Sequence, residues 1–239
     1  MSKRAEVRER RQRARRRQLV GYVGVVGVGA LFVAAMILYP KLAPVGEITS
    51  ITPVARPQAD GTAMGDPNAP VLIELYEDFQ CPACQVFTLQ TEPLLVENYV
   101  LTGKARIVFR HFPFIEPAPG GESTQAANAS MCAAEQGRFW DYHDMLYTNQ
   151  SGENLGAFAN RRLVAFAESL GLDMQAFNTC FDDDAYRDQI DSDEQSGLQL
   201  GVNSTPTIVV NGTIVEGDNP RLVPSYEIIS QAIDAAIGS

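Results

Sequence analysis

With 239 residues the chain has room for one domain of moderate size, large enough for a packed core, plus appendages. Its net charge of −10 is unevenly spread: residues 1–17 hold nine Lys/Arg and two Glu, a net +7, which leaves −17 for the rest. A basic arm could serve nucleic acid, but the uncharged run directly after it excludes that reading.

Leu19 to Tyr39 is twenty-one residues without a charge, rich in Val, Gly, Leu and Ala, long enough to span a bilayer as a helix. Positive charge on its N-terminal flank puts residues 1–18 in the cytoplasm and everything from Lys41 onward outside. No small-residue cleavage site follows the span, so 19–39 is expected to be a retained signal-anchor rather than a removed signal. Residues 40–60, rich in Pro, Gly, Ala, Thr and Asp without a sustained period, are expected to form a stalk.

The folded domain is expected over 61–237. Val71 to Tyr76 reads as a buried strand, ended by Glu77-Asp78. Cys81-Pro82-Ala83-Cys84 comes next, opening a helical run to Tyr99 that Pro93 should kink. Cys81 would then stand at a helix N-terminus, where unpaired N–H groups and the dipole favour a thiolate. Pro82 suits a first turn that needs no donor from it. Cys84, three residues on, lies on the same face within reach of a disulfide. The arrangement is that of a dithiol redox site. A structural disulfide or a metal site is the competing reading, but zinc would want a second Cys or Cys/His pair at ligand spacing. Cys132 and Cys180 are far apart in the chain and His111 and His143 have no close companion, so no metal and no cofactor is expected.

Ala105 to Arg110 is the second strand, completing a βαβ unit with a parallel pair. Three prolines and Gly120-Gly121 then break the pattern, and a helical insertion runs over about 118–200. Strand character returns at Thr207 to Val210, where Asn211-Gly212 turns the chain back through Thr213 to Val215. Tyr226, Ile229, Ile233 and Ile237 mark one face of a closing helix.

Three stretches in this order resemble the DsbA-like branch of the thioredoxin superfamily, in its membrane-anchored bacterial form. They are Asp78-Phe79-Gln80-Cys81-Pro82-Ala83-Cys84, then Cys132 to Asp144 with Phe139-Trp140 and His143-Asp144, and Gly201 to Thr207. The resemblance implies an α/β thioredoxin fold whose helical insertion sits between the βαβ unit and a C-terminal hairpin and helix, all after a single transmembrane helix. It implies that Pro206 is cis beside the dithiol and that Thr205 pairs with an extended client peptide, since a cis isomer costs little only before proline. Cys132 and Cys180, left over in an exported domain, most simply bond to each other, with two free thiols as the alternative.

The implied activity is thiol–disulfide exchange: Cys81 forms the mixed disulfide and Cys84 resolves it, most simply to oxidise the cysteines of exported proteins. A monomer recycled by a quinone-linked membrane partner of the DsbB or VKOR type is the expected setting. An extracytoplasmic reductase uses the same residues, and a non-catalytic peptide-binding module would not need either thiol. The chain departs from the family at Leu75, where relatives often carry a buried acid six residues before the first cysteine. Glu77 has the same strand parity and is the candidate for handling the proton of Cys84, whereas Glu74 should face the other way. Glu77 and Asp78 would oppose a Cys81 thiolate that the helix terminus favours, and Pro82-Ala83 adds no charge.

Overall fold

The computed structural model describes residues 15–16, 20–24, 26–36, 45–219 and 223–238. Residues 20–24 and 26–36 are helical with exposed side chains. Among the described residues no helix is long and apolar enough to cross a membrane. The expected span 19–39 includes residues 19, 25 and 37–39, and the basic segment 1–18 includes 1–14 and 17–18, all outside the described residues.

From Gly46 onward the chain forms one compact unit. A five-stranded sheet has the order β1-β3-β2-β4-β5, with β1 Ala63–Met64, β2 Val71–Glu77, β3 Ala105–His111, β4 Thr207–Val210 and β5 Thr213–Ile214. β2 and β3 are parallel in the register Val71 to Ala105, as the βαβ spacing requires, and β4 runs antiparallel to β2 with Leu75 opposite Ile208. Alternation along β2 buries Ile73, Leu75 and Glu77 on one face. Glu74 on the other face pairs with Arg110 at 2.9 Å.

The crossover begins with α1 (Pro82–Gln90), which buries Cys84, Phe87 and Thr88 at one-turn spacing. It breaks at Thr91 because Pro93 has no N–H to offer, and restarts as α2 (Glu92–Leu95). A wider turn comes next, closed by Leu101 N–H on Val96 O at 2.9 Å. The insertion comprises α3 (Glu122–Ala134), α4 (Phe139–Thr148), α5 (Asn160–Ser169), α6 (Met174–Asp182) and α7 (Arg187–Leu200), and α8 (Tyr226–Ile237) closes the chain. Asp173 caps α6 through the N–H groups of Gln175 and Ala176. α7 lies close against the sheet because Gly197 has no side chain: a Cβ there would meet Tyr76 and Phe112 at 2.9–3.0 Å.

Cys132 on α3 and Cys180 on α6 are bonded, with S–S 2.02 Å, as the count of left-over cysteines suggested. The expected stalk is corrected from Gly46 onward. Ile48 and Ile51 pack against the core, Thr49 exchanges hydrogen bonds with Asn149 at 2.8 and 2.9 Å, and Arg56 pairs with Asp144. The composition of this stretch concealed two Ile and an Arg that anchor it as an ordered strap.

Candidate active site

Cys81 occupies the N-cap position of α1 with extended backbone, and Pro82 is the first helical residue. The Thr205–Pro206 peptide is cis. That turn brings Thr205 O within 3.3 Å of Cys81 Sγ, and the thiol form of Cys81 donates to it. Cys81 is 6 % exposed and Cys84 fully buried, both as free thiols. Thus the fold gathers Cys81, Cys84, Thr205, Pro206 and Glu77 into one place, whereas Cys132–Cys180 lies apart in the helical insertion.

The two thiols differ in kind. The Cys84 thiol donates to Cys81 and holds it down to about 6, against the burial that pushes it up; Thr205 and the N–H groups of Cys84 and Ala83 add to the lowering. At neutral pH Cys81 is therefore a thiolate. Cys84 is pushed well above an ordinary thiol, by burial first, then by its bond to Cys81 and the charge of Glu77. Sequence alone sets the helix terminus against the acids, whereas the largest influence on the first thiol is the second.

The acids part company. Asp78 is occupied: it accepts from Gln80 N at 2.8 Å, Ile115 N at 2.9 Å and Ser123 Oγ at 2.8 Å. It ties α1 to the proline loop and to α3, and burial raises its pKa against those bonds. Glu77 is buried on the face of Leu75. It accepts from Tyr147 Oη at 2.6 Å through Oε2, while Oε1 has no hydrogen-bond partner. Burial raises it well above the carboxylate range, with the Tyr147 bond lowering it and the charge of Glu92 raising it. Glu77 is the titratable neighbour whose charge raises Cys84, which suits it to exchange a proton with that thiol.

Tyr147, Glu92 and Arg56 gave no signal in the sequence. Tyr147 reads as one more aromatic on the buried side of α4, Glu92 as the residue before a kinking proline, and Arg56 as stalk. Among the described residues no group of His, Cys, Asp and Glu is arranged to hold a metal.

A thioredoxin-type sheet that presents a dithiol beside a cis-proline defines a thiol–disulfide oxidoreductase of the thioredoxin class, and the helices between β3 and β4 give it the DsbA-like form. Comparison with known proteins agrees. The family model described as thioredoxin matches residues 58–235, and the chain belongs to that family. The Bacillus cereus probable disulfide bond formation protein D is 25 % identical over 174 residues, 72 % of this chain and 76 % of that protein. A Salinispora tropica Na(+)/H(+) antiporter, NhaA 3, is 33 % identical over 175 residues, 73 % of this chain, but the chain spans only 24 % of that longer protein. The oxidised crystal structure of BdbD from Bacillus subtilis superposes with a TM-score of 0.65 at 22 % identity, covering 81 % of this chain and all of that one.

Proposed function

We propose that the protein is an extracytoplasmic oxidase that introduces disulfides into exported proteins through Cys81–Cys84, held at the membrane by residues 19–39. The observation that carries this reading is the geometry of the dithiol: Cys81 stands at the α1 N-cap beside the cis Thr205–Pro206 peptide, over a fully buried Cys84 whose thiol holds Cys81 below an ordinary thiol. A stabilised thiolate favours the reduced dithiol, so the disulfide is a good electron acceptor.

In the proposed cycle, a client thiolate attacks Sγ of Cys81 in the disulfide and Cys84 leaves, taking a proton. The second client thiolate then attacks the client sulfur of the mixed disulfide, and Cys81 departs as a thiolate. Two electrons pass from the client to the Cys81–Cys84 bond. Thr205, beside the sulfur and ahead of cis-Pro206, offers its backbone to the client strand. A quinone-linked membrane partner of the DsbB or VKOR type would reoxidise the dithiol, and the uncharged run after a basic segment supports a location beside it.

Equilibration with a glutathione buffer tests the direction. An oxidase has a potential well above the −270 mV or so of a thioredoxin-like reductase, nearer to about −120 mV. A value at the reducing end would oppose the proposal. The Cys84→Ala variant should trap clients as mixed disulfides, whereas Cys81→Ser should trap none.

A further inference from the structure

The loop after β3 and the helix α7 face each other across a groove of about 430 Å³. The loop side is apolar. Phe112 is buried with its ring 6.2 Å from that of Phe114, and Phe114 is 52 % exposed. Pro113, Pro117 and Pro119 fix the backbone of this wall, so it is set before anything binds. From α7 come Arg187, Asp191, Glu194 and Leu198, at a spacing that puts them in one stripe, with Leu198 50 % exposed.

Both walls end at the dithiol. Ile115 N–H donates to Asp78 at 2.9 Å, three residues before Cys81. Asn203 lines the groove two residues before Thr205, whose carbonyl is 3.3 Å from Cys81 Sγ.

The charge of the groove is one-sided. Arg187 is already paired with Asp184 at 2.8 Å. Glu116 accepts from Gly120 N–H at 3.0 Å and from Thr124 N–H and hydroxyl at 2.9 and 2.7 Å, which holds it in the wall as a fixed negative charge. Among the described residues neither Asp191 nor Glu194 has an ion-pair partner. Burial first, then Asp191 and Glu116, raises the pKa of Glu194, as expected where carboxylates converge without a cation.

We propose that this groove holds the client segment flanking the reacting cysteine and selects segments that carry Lys or Arg beside apolar side chains. The proposal rests on the reading of Cys81–Cys84 as a disulfide donor to protein clients. Phe114 and Leu198 take the apolar side chains, and Asp191 and Glu194 take the cation. With a rise of about 1.5 Å per residue, Asp191 lies about 10 Å along α7 from Leu198, or about three residues of an extended client. A second copy of the chain is a poor occupant, since residues 18–239 carry −17 and would bring acid to acid.

The test uses the full oxidised chain and two reduced dicysteine peptides, identical but for a Lys or a Glu about three to six residues from the nearer cysteine. At low ionic strength kcat/KM should favour the Lys peptide about fivefold, and salt should erase the difference. Asp191→Lys with Glu194→Lys should reverse the preference, and Asp191→Asn with Glu194→Gln should abolish it. Glu168→Lys with Asp182→Lys makes the same change of net charge at exposed sites on α5 and α6, and should keep it. Phe114→Ser should raise KM for both peptides more than it lowers kcat. Equal rates for the two peptides, or a preference lost equally in both pairs of Lys variants, overturn the groove as selector. A wild-type dimer that Glu194→Lys dissociates would make a second copy the occupant and overturn it too. A wild-type chain that oxidises neither peptide would instead overturn the exchange reading beneath it.

Discussion

At the scale of single residues, Cys81 owes its low pKa first to the neighbouring thiol. Removing that donor with Cys84→Ala should raise Cys81 from about 6 toward an ordinary thiol. Cys84→Ser keeps a hydroxyl donor and should raise it less. Thiolate absorbance against pH reads both, and equal values in the two variants would show that the helix terminus dominates instead. Ala83→His adds a potential cation beside the sulfur and should lower Cys81 further. Glu77→Gln should act mainly on Cys84, whose pKa the Glu77 charge raises.

His111 offers a separate handle on stability. It is buried among aromatic rings, and burial first, with the neighbouring His143 and Arg110, lowers it from 6.5 to about 3. The unfolded chain takes up a proton near 6.5 that the folded one refuses. The stability from a neutral His111 is therefore present above 6.5 and lost as the pH falls toward about 3, at about 1.4 kcal/mol per unit. His111→Phe should flatten the acid side of the stability curve measured by denaturant unfolding. A curve of unchanged slope would count against the buried neutral imidazole.

At the scale of elements, α3 and α6 are joined by Cys132–Cys180 across a separation of 48 residues. Chain entropy puts its contribution at about 4 kcal/mol, so replacing both with Ser should lower the unfolding midpoint markedly. Exchange activity per folded molecule should stay near wild type, because neither sulfur belongs to the site. Lost activity in a folded double mutant would point to an electron relay. Strands, the kink at Pro93, the hairpin at Asn211-Gly212 and the helical insertion were legible because period and turn residues are local signals. The Cys81–Cys84 pair was legible for the same reason. The partners that tune it were not: Tyr147 comes from a helix seventy positions along from Glu77, and only the folded packing brings its hydroxyl to within 2.6 Å. The parity of Glu77 with Leu75 was readable, but its burial and its link to Cys84 needed the third dimension.

At the scale of the whole molecule, residues 46–62 strap the domain from outside rather than holding it at a distance, with Arg56 set between Glu92 and Asp144. Arg56→Gln removes the cation those two acids share. It should loosen the strap enough to speed proteolysis there while the sheet stays protected; unchanged cleavage would mean that Ile48 and Ile51 suffice. The oxidase we propose would meet its clients in the disulfide form. The state of the dithiol in the cell bears on this most directly. Rapid acid quenching and alkylation of thiols in intact cells should find Cys81–Cys84 mainly as the disulfide, ready to oxidise clients. A pool held almost wholly as the dithiol would contradict an oxidase and turn the same residues into a reductase.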